Sequence, residues 1–217
     1  TIDYKKYSRN TVYLIDDPKA VQSQIYIITE GKVLSKEDRS KSDVFNKYFG
    51  RGMASIIFQE IREFRSLAYT AYGSYINRSD ITMPGYFMGY MGTQVDKTNN
   101  AISTYIDLFR NIPIKENRIA TIKSGLTQSI NTRKPGWRSQ GNYVSNLIKE
   151  GYIEDPNKLD YNIYQNIVFN DVIQFYKDNI KTNPIVITIV TDKSKISIDK
   201  ILDYGELIEV NKDKVFN

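Results

Sequence analysis

Histidine and cysteine are both absent from the 217-residue chain. A catalytic zinc draws on imidazole or thiolate ligands with carboxylates as helpers, so no zinc site is expected here. Cysteine nucleophiles and serine–histidine triads are excluded for the same reason. No disulfide can form, so cysteine usage says nothing about the redox compartment. No apolar run approaches the roughly 18 residues of a membrane span. The longest, Ile185-Val186-Ile187-Thr188-Ile189-Val190, has the length of a buried strand. Glycine (12) and proline (6) are too few for a collagen-like or low-complexity chain, and 41% apolar residues suffice for a real core. Methionine is missing at position 1, with no charged-then-apolar leader behind it, so Thr1 reads as a cut inside a longer polypeptide or a processed start.

What is present is mixed charge with a net of +5. The densest basic spots are Lys5-Lys6 with Arg9 and Arg133-Lys134 with Arg138. Neither has the length of a nucleic-acid-binding arm, and Asp and Glu are interspersed throughout, so an ordinary solvated surface is favoured. A basic nucleic-acid-binding module stays open as the least favoured alternative. The 17 tyrosines are scattered and suit core and interface positions better than a base-stacking platform.

Along the chain, Val12–Ile15 and Ser23–Thr29 are β-branched and aromatic and end in turn chemistry, so both read as strands. Polar residues from Lys32 to Lys41 read as a surface loop. Ser42 is the expected N-cap of a helix running to about Arg65-Ser66. Its inward face is Phe45, Phe49, Met53, Ile56, Ile57 and Ile61, and Gly50 and Gly52 are tolerated inside it because of close packing. Strands are expected over Ala68–Ile76 and Tyr86–Val95, with Gly89 and Gly92 hinting at a bulge or a close backbone approach. Helices follow: one capped by Thr98, one carrying Ile119 to Ile130, one from Arg138 to Lys149 ended by Gly151, and one capped by Asn170. A strand at Ile185–Thr191, a short helix at Ile198–Leu202 and a strand at Leu207–Val210 complete the chain. Hairpin-like strand pairs alternating with helices predict an α+β two-layer sandwich, with a mostly antiparallel sheet packed on helices. No repeat or linker divides the chain, so residues 1–217 read as one domain.

One segment is distinctive: Phe49-Gly50-Arg51-Gly52-Met53-Ala54-Ser55-Ile56-Ile57-Phe58-Gln59-Glu60-Ile61-Arg62-Glu63, continuing through Phe64-Arg65-Ser66-Leu67-Ala68-Tyr69. It resembles the helix-then-strand segment of the second, zinc-less, C-terminal domain of insulinase-family (pitrilysin) zinc metallopeptidases, in particular bacterial processing-peptidase-like members. The family usually has Gly where Arg51 and Ser66 stand, and Arg where Ile56 stands. Weaker likeness extends through Gln24–Ile28, Gly85–Ile102 and Tyr204–Val210, over roughly residues 11 to 210.

The resemblance implies a clamshell of two homologous halves. The first half carries an inverted His-x-x-Glu-His zinc motif and the second completes the substrate cleft. This chain has no His for such a motif, so it is expected to bring no catalytic residue, no metal and no cofactor of its own. Zinc belongs to the partner half, fused or separate, and the chain alone is expected to be inactive. Glu60 and Glu63 share a helix face without imidazoles and read as solvated. The family's substrate-binding Arg and Tyr, seven residues apart, map onto Arg62 and Tyr69. A guanidinium fork suits a peptide carbonyl or carboxylate. A phenol can donate to a carbonyl whose oxygen gains charge in the transition state. Read alone, Arg62 is a favourable cation in a last helical turn and Tyr69 a common strand aromatic. Arg65 and Tyr72 share the spacing as decoys. Partners implied are the zinc-bearing half and an extended peptide bound partly by strand addition. An inactive scaffolding homologue is the alternative. The likeness to bacterial members makes an extracytoplasmic, periplasmic site the expectation, although the residues themselves do not reveal a compartment. An apolar or tyrosine-rich face is expected where the partner docks.

Overall fold

The computed structural model describes residues 6–132 and 135–212, so Lys5 and the Arg133-Lys134 pair lie outside the described residues. Six strands form one sheet: β1 (Thr11–Asp16), β2 (Gln22–Glu30), β3 (Ala68–Ile76), β4 (Tyr86–Gln94), β5 (Val186–Thr191) and β6 (Glu206–Val210). Their spatial order is β3-β4-β2-β5-β1-β6. Pairs β3/β4, β4/β2 and β2/β5 are antiparallel, whereas β1 lies parallel to both β5 and β6. The sheet is therefore mostly antiparallel and the class is the α+β expected. Among the described residues, only β3 and β4 form a hairpin between consecutive strands. β1 and β2, expected to pair, are separated by β5, because the chain needs a crossover to lay two parallel neighbours beside β1.

Helices α1 (Lys36–Phe49), α2 (Thr98–Arg110), α3 (Ile119–Thr132), α4 (Gln140–Lys149), α5 (Pro156–Asn166), α6 (Phe169–Tyr176) and α7 (Ile198–Leu202) accompany the sheet. α1 begins six residues before the cap expected at Ser42. Ser35 is its N-cap, its side chain accepting from the Asp38 N–H, with Glu37 and Asp38 in the first turn. The charged stretch read as a loop is thus the solvated first half of the helix. Ser42 sits buried inside it, its hydroxyl donating to the Arg39 carbonyl. α5 was not anticipated, although Asp155 as N-cap and Pro156 in the first turn are a strong start signal. Thr98 is the first residue of α2 rather than its cap, and its hydroxyl bonds Ser23 within the core. Val168 occupies the N-cap position of α6, where Asn170 was expected.

The core lies between one sheet face and α1, α2 and α6. Phe87 of β4 is fully buried against Phe49 (5.7 Å) and Phe109 (5.0 Å), and Phe45 stacks on Phe49 at 5.4 Å. Gly73 and Gly89 are cross-strand partners facing this core. A Cβ on Gly89 would stand 2.1 Å from the Tyr105 hydroxyl, so these glycines make room for a tyrosine ring; Gly89 marks a close approach of a side chain and no bulge.

Candidate functional site

The helix expected to run unbroken to Ser66 stops at Gly50, whose peptide N–H still bonds the Asn46 carbonyl. A Cβ on Gly50 would stand 2.2 Å from the Gly73 carbonyl oxygen, so the close packing anticipated there is real. Gly52 follows at φ +91, a left-handed conformation that ends any helix. Met53, expected inside, is consequently 77% exposed, while Ile56, Ile57 and Ile61 are buried as their spacing implied.

The chain then re-forms as a π-helical turn, Phe58–Glu63, a rarer geometry than the α-helix read from the periodicity. Its outer side is braced. Gln59 accepts from Arg118 at 2.6 Å, and Glu60 accepts from Lys115 at 3.1 Å and from Arg65. The Arg65 guanidinium, then Lys115, hold the Glu60 carboxyl below the ordinary carboxylate value. Glu60 is therefore bound in a bracket rather than solvated, and the decoy Arg65 is spent on it. The turn ends at Ser66, a left-handed residue (φ 50), with the Leu67 N–H donating back to the Ile61 carbonyl at 2.9 Å. This conformation explains why the resembling family carries glycine at that position. Lys97 donates to the Ser66 carbonyl at 3.3 Å.

Immediately afterwards β3 opens with an irregularity: Ala68 pairs with Thr93 but Thr70 pairs with Gly92. Tyr69 is the extra residue, its side chain re-aimed out of the ladder and 78% exposed. The bulge thus falls on the strand opposite Gly92 rather than on the glycine's own strand. Together the π turn and the bulge bring Arg62 over Tyr69. The guanidinium carbon lies 5.0 Å from the Tyr69 ring centre and 4.8 Å from that of Phe58. The Arg62 Nε also meets Glu63 at 3.5 Å. Both side chains line one recess of about 310 Å³, with Gln22, Gly92, Gln94 and Lys97 around it. Two cations and an exposed phenol on that rim form a donor-rich surface suited to carbonyl or carboxylate oxygens.

The recess opens onto the face of the sheet that the helices leave bare. β2 alternates strictly: Ser23, Ile25, Ile27 and Thr29 are buried, and Gln22, Gln24, Tyr26, Ile28 and Glu30 point the other way. Across that bare face Tyr72, Tyr90 and Tyr26 are direct cross-strand partners, and the same rung continues through Thr188 to Tyr13. Tyr90 packs 5.0 Å from Tyr26 and 5.3 Å from Tyr72, and donates to the Gln24 side chain. Tyr72, the second decoy, is thus the end of a tyrosine row. The tyrosine-rich face expected from the sequence exists as this row, with Tyr26 and Tyr72 each 38% exposed. Apart from Tyr72, named only for its spacing, its members were not singled out from the sequence, although the period-2 alternation of β2 marks Gln22, Gln24, Tyr26 and Ile28 as one face. The outer edge of β3 is partly taken, because Gly73 N–H donates to Gly50 and Tyr75 N–H donates to Asn46.

Among the described residues no group of three His, Cys, Asp or Glu side chains could hold a metal ion, so nothing here fits a catalytic zinc. Among them, too, no helix is long and apolar enough to cross a membrane.

Comparison with known proteins bears on this arrangement. The family profile described as "Peptidase M16 inactive domain" matches residues 1–126. Among solved structures, a peptidase M16 inactive domain from Pseudomonas fluorescens superposes with a TM-score of 0.71 at 14% identity, covering 88% of this chain and 46% of that one. A protease from Helicobacter pylori gives 0.70 at 11% identity, with coverage of 88% and 47%. The periplasmic protease PqqL from Escherichia coli gives 0.66 at 13% identity, with coverage of 86% and 21%. The chain spans less than half the length of each of these three structures. No curated protein sequence matches it.

Proposed function

The chain belongs to the peptidase M16 inactive-domain family, and from that premise we propose that it is the substrate-binding, zinc-less half of a two-half zinc metallopeptidase. The zinc and the water-activating carboxylate sit in a homologous partner half, fused or separate, which closes over the bare face of the sheet. Arg62 and Tyr69 hold the backbone of an extended peptide near the bond to be cut. The observation that carries this reading is the stacking of Arg62 on Tyr69 at 5.0 Å, in a recess that faces uncovered sheet. Spanning 47% of a structure named as a protease is about the share one half would have. On the β3 edge, with Gly73 and Tyr75 already engaged, strand addition is left to the first residues of the strand, beside the same two side chains.

The roles divide by chemistry. A guanidinium that contacts a ground-state carbonyl contributes to binding. A phenol that contacts the oxygen as it gains charge contributes to turnover. In the enzyme reconstituted with its zinc-bearing half, Arg62→Ala should mainly raise KM. Tyr69→Phe should mainly lower kcat, by about a hundred- to a thousandfold if its hydroxyl is one of the transition-state donors. Peptidase kinetics unchanged in both variants would overturn the assignment and leave the chain a structural subunit.

A further inference from the structure

The bare face carries a second depression, at the other end of the same strand, with a volume of about 640 Å³. Ile28 and Val186 form its floor, and Tyr7, Tyr13, Tyr86 and Pro184 are among its walls. The walls are braced. Tyr7 and Tyr13 meet edge to face at 6.4 Å with their hydroxyls 3.1 Å apart. Thr29 donates to the Pro184 carbonyl at 2.7 Å, and Asn183 donates to the Glu30 carbonyl at 2.7 Å. The Arg78 guanidinium is drawn against the wall, its carbon 5.1 Å from the Tyr86 ring and its Nε donating to the Pro84 carbonyl at 3.0 Å. Ring faces and aliphatic carbons thus form the floor and much of the walls, while Glu30, Lys32, Asn183 and Thr188 also line the depression. An apolar floor walled by tyrosine rings suits a large apolar or aromatic side chain, with the polar residues left at the rim for its backbone.

The two depressions are in register. Gln22 borders the Arg62–Tyr69 recess and Ile28 borders this pocket, both on the outward-facing positions of β2. Six residues of strand separate them, about 20 Å at roughly 3.3 Å per residue. Between them lies the tyrosine row, without a charged side chain on its rung from Tyr72 to Tyr13. We infer that this pocket is a distal anchor for a large apolar side chain of the peptide, set about six extended residues from the part held by Arg62 and Tyr69. The inference rests on the proposed function, and it adds a rule of peptide length and spacing that the Arg62–Tyr69 contact alone does not impose.

The absence of cysteine gives a clean test. Tyr69→Cys places a single thiol at the recess, at a position exposed enough to accept it. Polar peptides whose one Cys is carried as its mixed disulfide with cysteamine, with a Phe two, four, six, eight or ten residues away on either side, are equilibrated with it under mild reductant, so that the thiolate introduced at position 69 displaces cysteamine by exchange. Disulfide yield is read by mass spectrometry. The expected result is a maximum near six residues on one side, about tenfold above the shortest and longest spacings, as burial of a Phe side chain implies. Val186→Trp, added to the Tyr69→Cys protein to fill the pocket from an outward-facing position, should flatten that maximum, and Thr188→Trp serves if the first variant does not fold. A yield indifferent to spacing overturns the anchor, and so does a maximum that survives filling of the pocket. Failure of the Arg62–Tyr69 reading is distinguished by binding of the untethered Phe peptide to the chain with Tyr69 intact. If Arg62→Ala leaves that affinity unchanged while the spacing maximum persists, the anchor stands and the proposed role of Arg62 falls.

Discussion

The two faces of this sheet are built from alternate residues of the same strands, yet they solve opposite problems. On the covered face Phe87, Met91, Ile25, Ile27, Ile187 and Ile189 are essentially inaccessible and pack against helices. On the bare face Tyr90, Tyr26 and Tyr72 lie half in water and touch mainly one another. A tyrosine suits the second position because its ring covers apolar surface while its hydroxyl stays hydrated. The difference teaches where each kind of substitution should register: in stability on one face and in binding on the other.

Mutations at matched positions sharpen that contrast. Phe87→Ala should cost the most, about 3–5 kcal/mol, because it opens a cavity among Phe49, Phe109 and Phe45. Denaturant unfolding reads this, and a loss below about 1 kcal/mol would mean the covered face is not the core. Asn46→Ala should follow at about 2–3 kcal/mol, since its amide donates to the Tyr75 carbonyl at 2.9 Å and its carbonyl accepts from the Tyr75 N–H at 2.6 Å, and both backbone groups would be left buried and unpaired. Its melting curve should shift well below that of an Asn46→Asp control only if the carboxylate can replace the accepting half of the contact. Tyr90→Ala, on the bare face of the strand that carries Phe87, should cost only about 1 kcal/mol, the worth of an exposed cross-strand aromatic pair. A loss equal to that of Phe87→Ala would erase the distinction between the faces.

The smallest effect is a pH dependence on the bracket under the site. Glu60 has its pKa lowered in the fold by Arg65 and Lys115. Its contribution to stability is therefore fully present above the ordinary carboxylate value, and is lost as pH falls below that value through the lowered one. Melting temperature measured from about pH 6 down to about pH 3 should fall slightly less steeply in Glu60→Gln than in the unaltered chain. Parallel slopes would show that the ion pairs under the π turn contribute nothing measurable, as exposed pairs often do.

The alternations and periodicities survived folding well. Strand β3 spans the residues expected of it, and β2, β4 and β5 differ by a residue at their ends. Phe45, Phe49, Ile56, Ile57 and Ile61 are buried as their spacing required. Errors fell where two local rules compete. A charged stretch could be loop or solvated helix, and only the Ser35 cap decides it. Gly50 and Gly52 could sit within a helix or stop it, and φ +91 at Gly52 settles the question. The Arg62–Tyr69 pair was legible only through a motif resemblance, because seven residues of spacing also describes Arg65 and Tyr72.

The sequence by itself determined which side of each strand is apolar, where most helices lie, and that no histidine or cysteine can bind a metal or attack a substrate, since these depend on residue type and local period alone. Tertiary structure decided the rest. The position of β1 between β5 and β6 depends on a crossover no local pattern encodes. The meeting of Arg62 with Tyr69 depends on a π turn and a bulge, both of which are enforced from outside the segment. Arg118 and Lys115 hold one, and the pairing of β3 with Gly92 and Thr93 fixes the other. Contacts between residues far apart in sequence are stable only once the whole sheet has closed, which is why the candidate rim could be named from the chain but not placed.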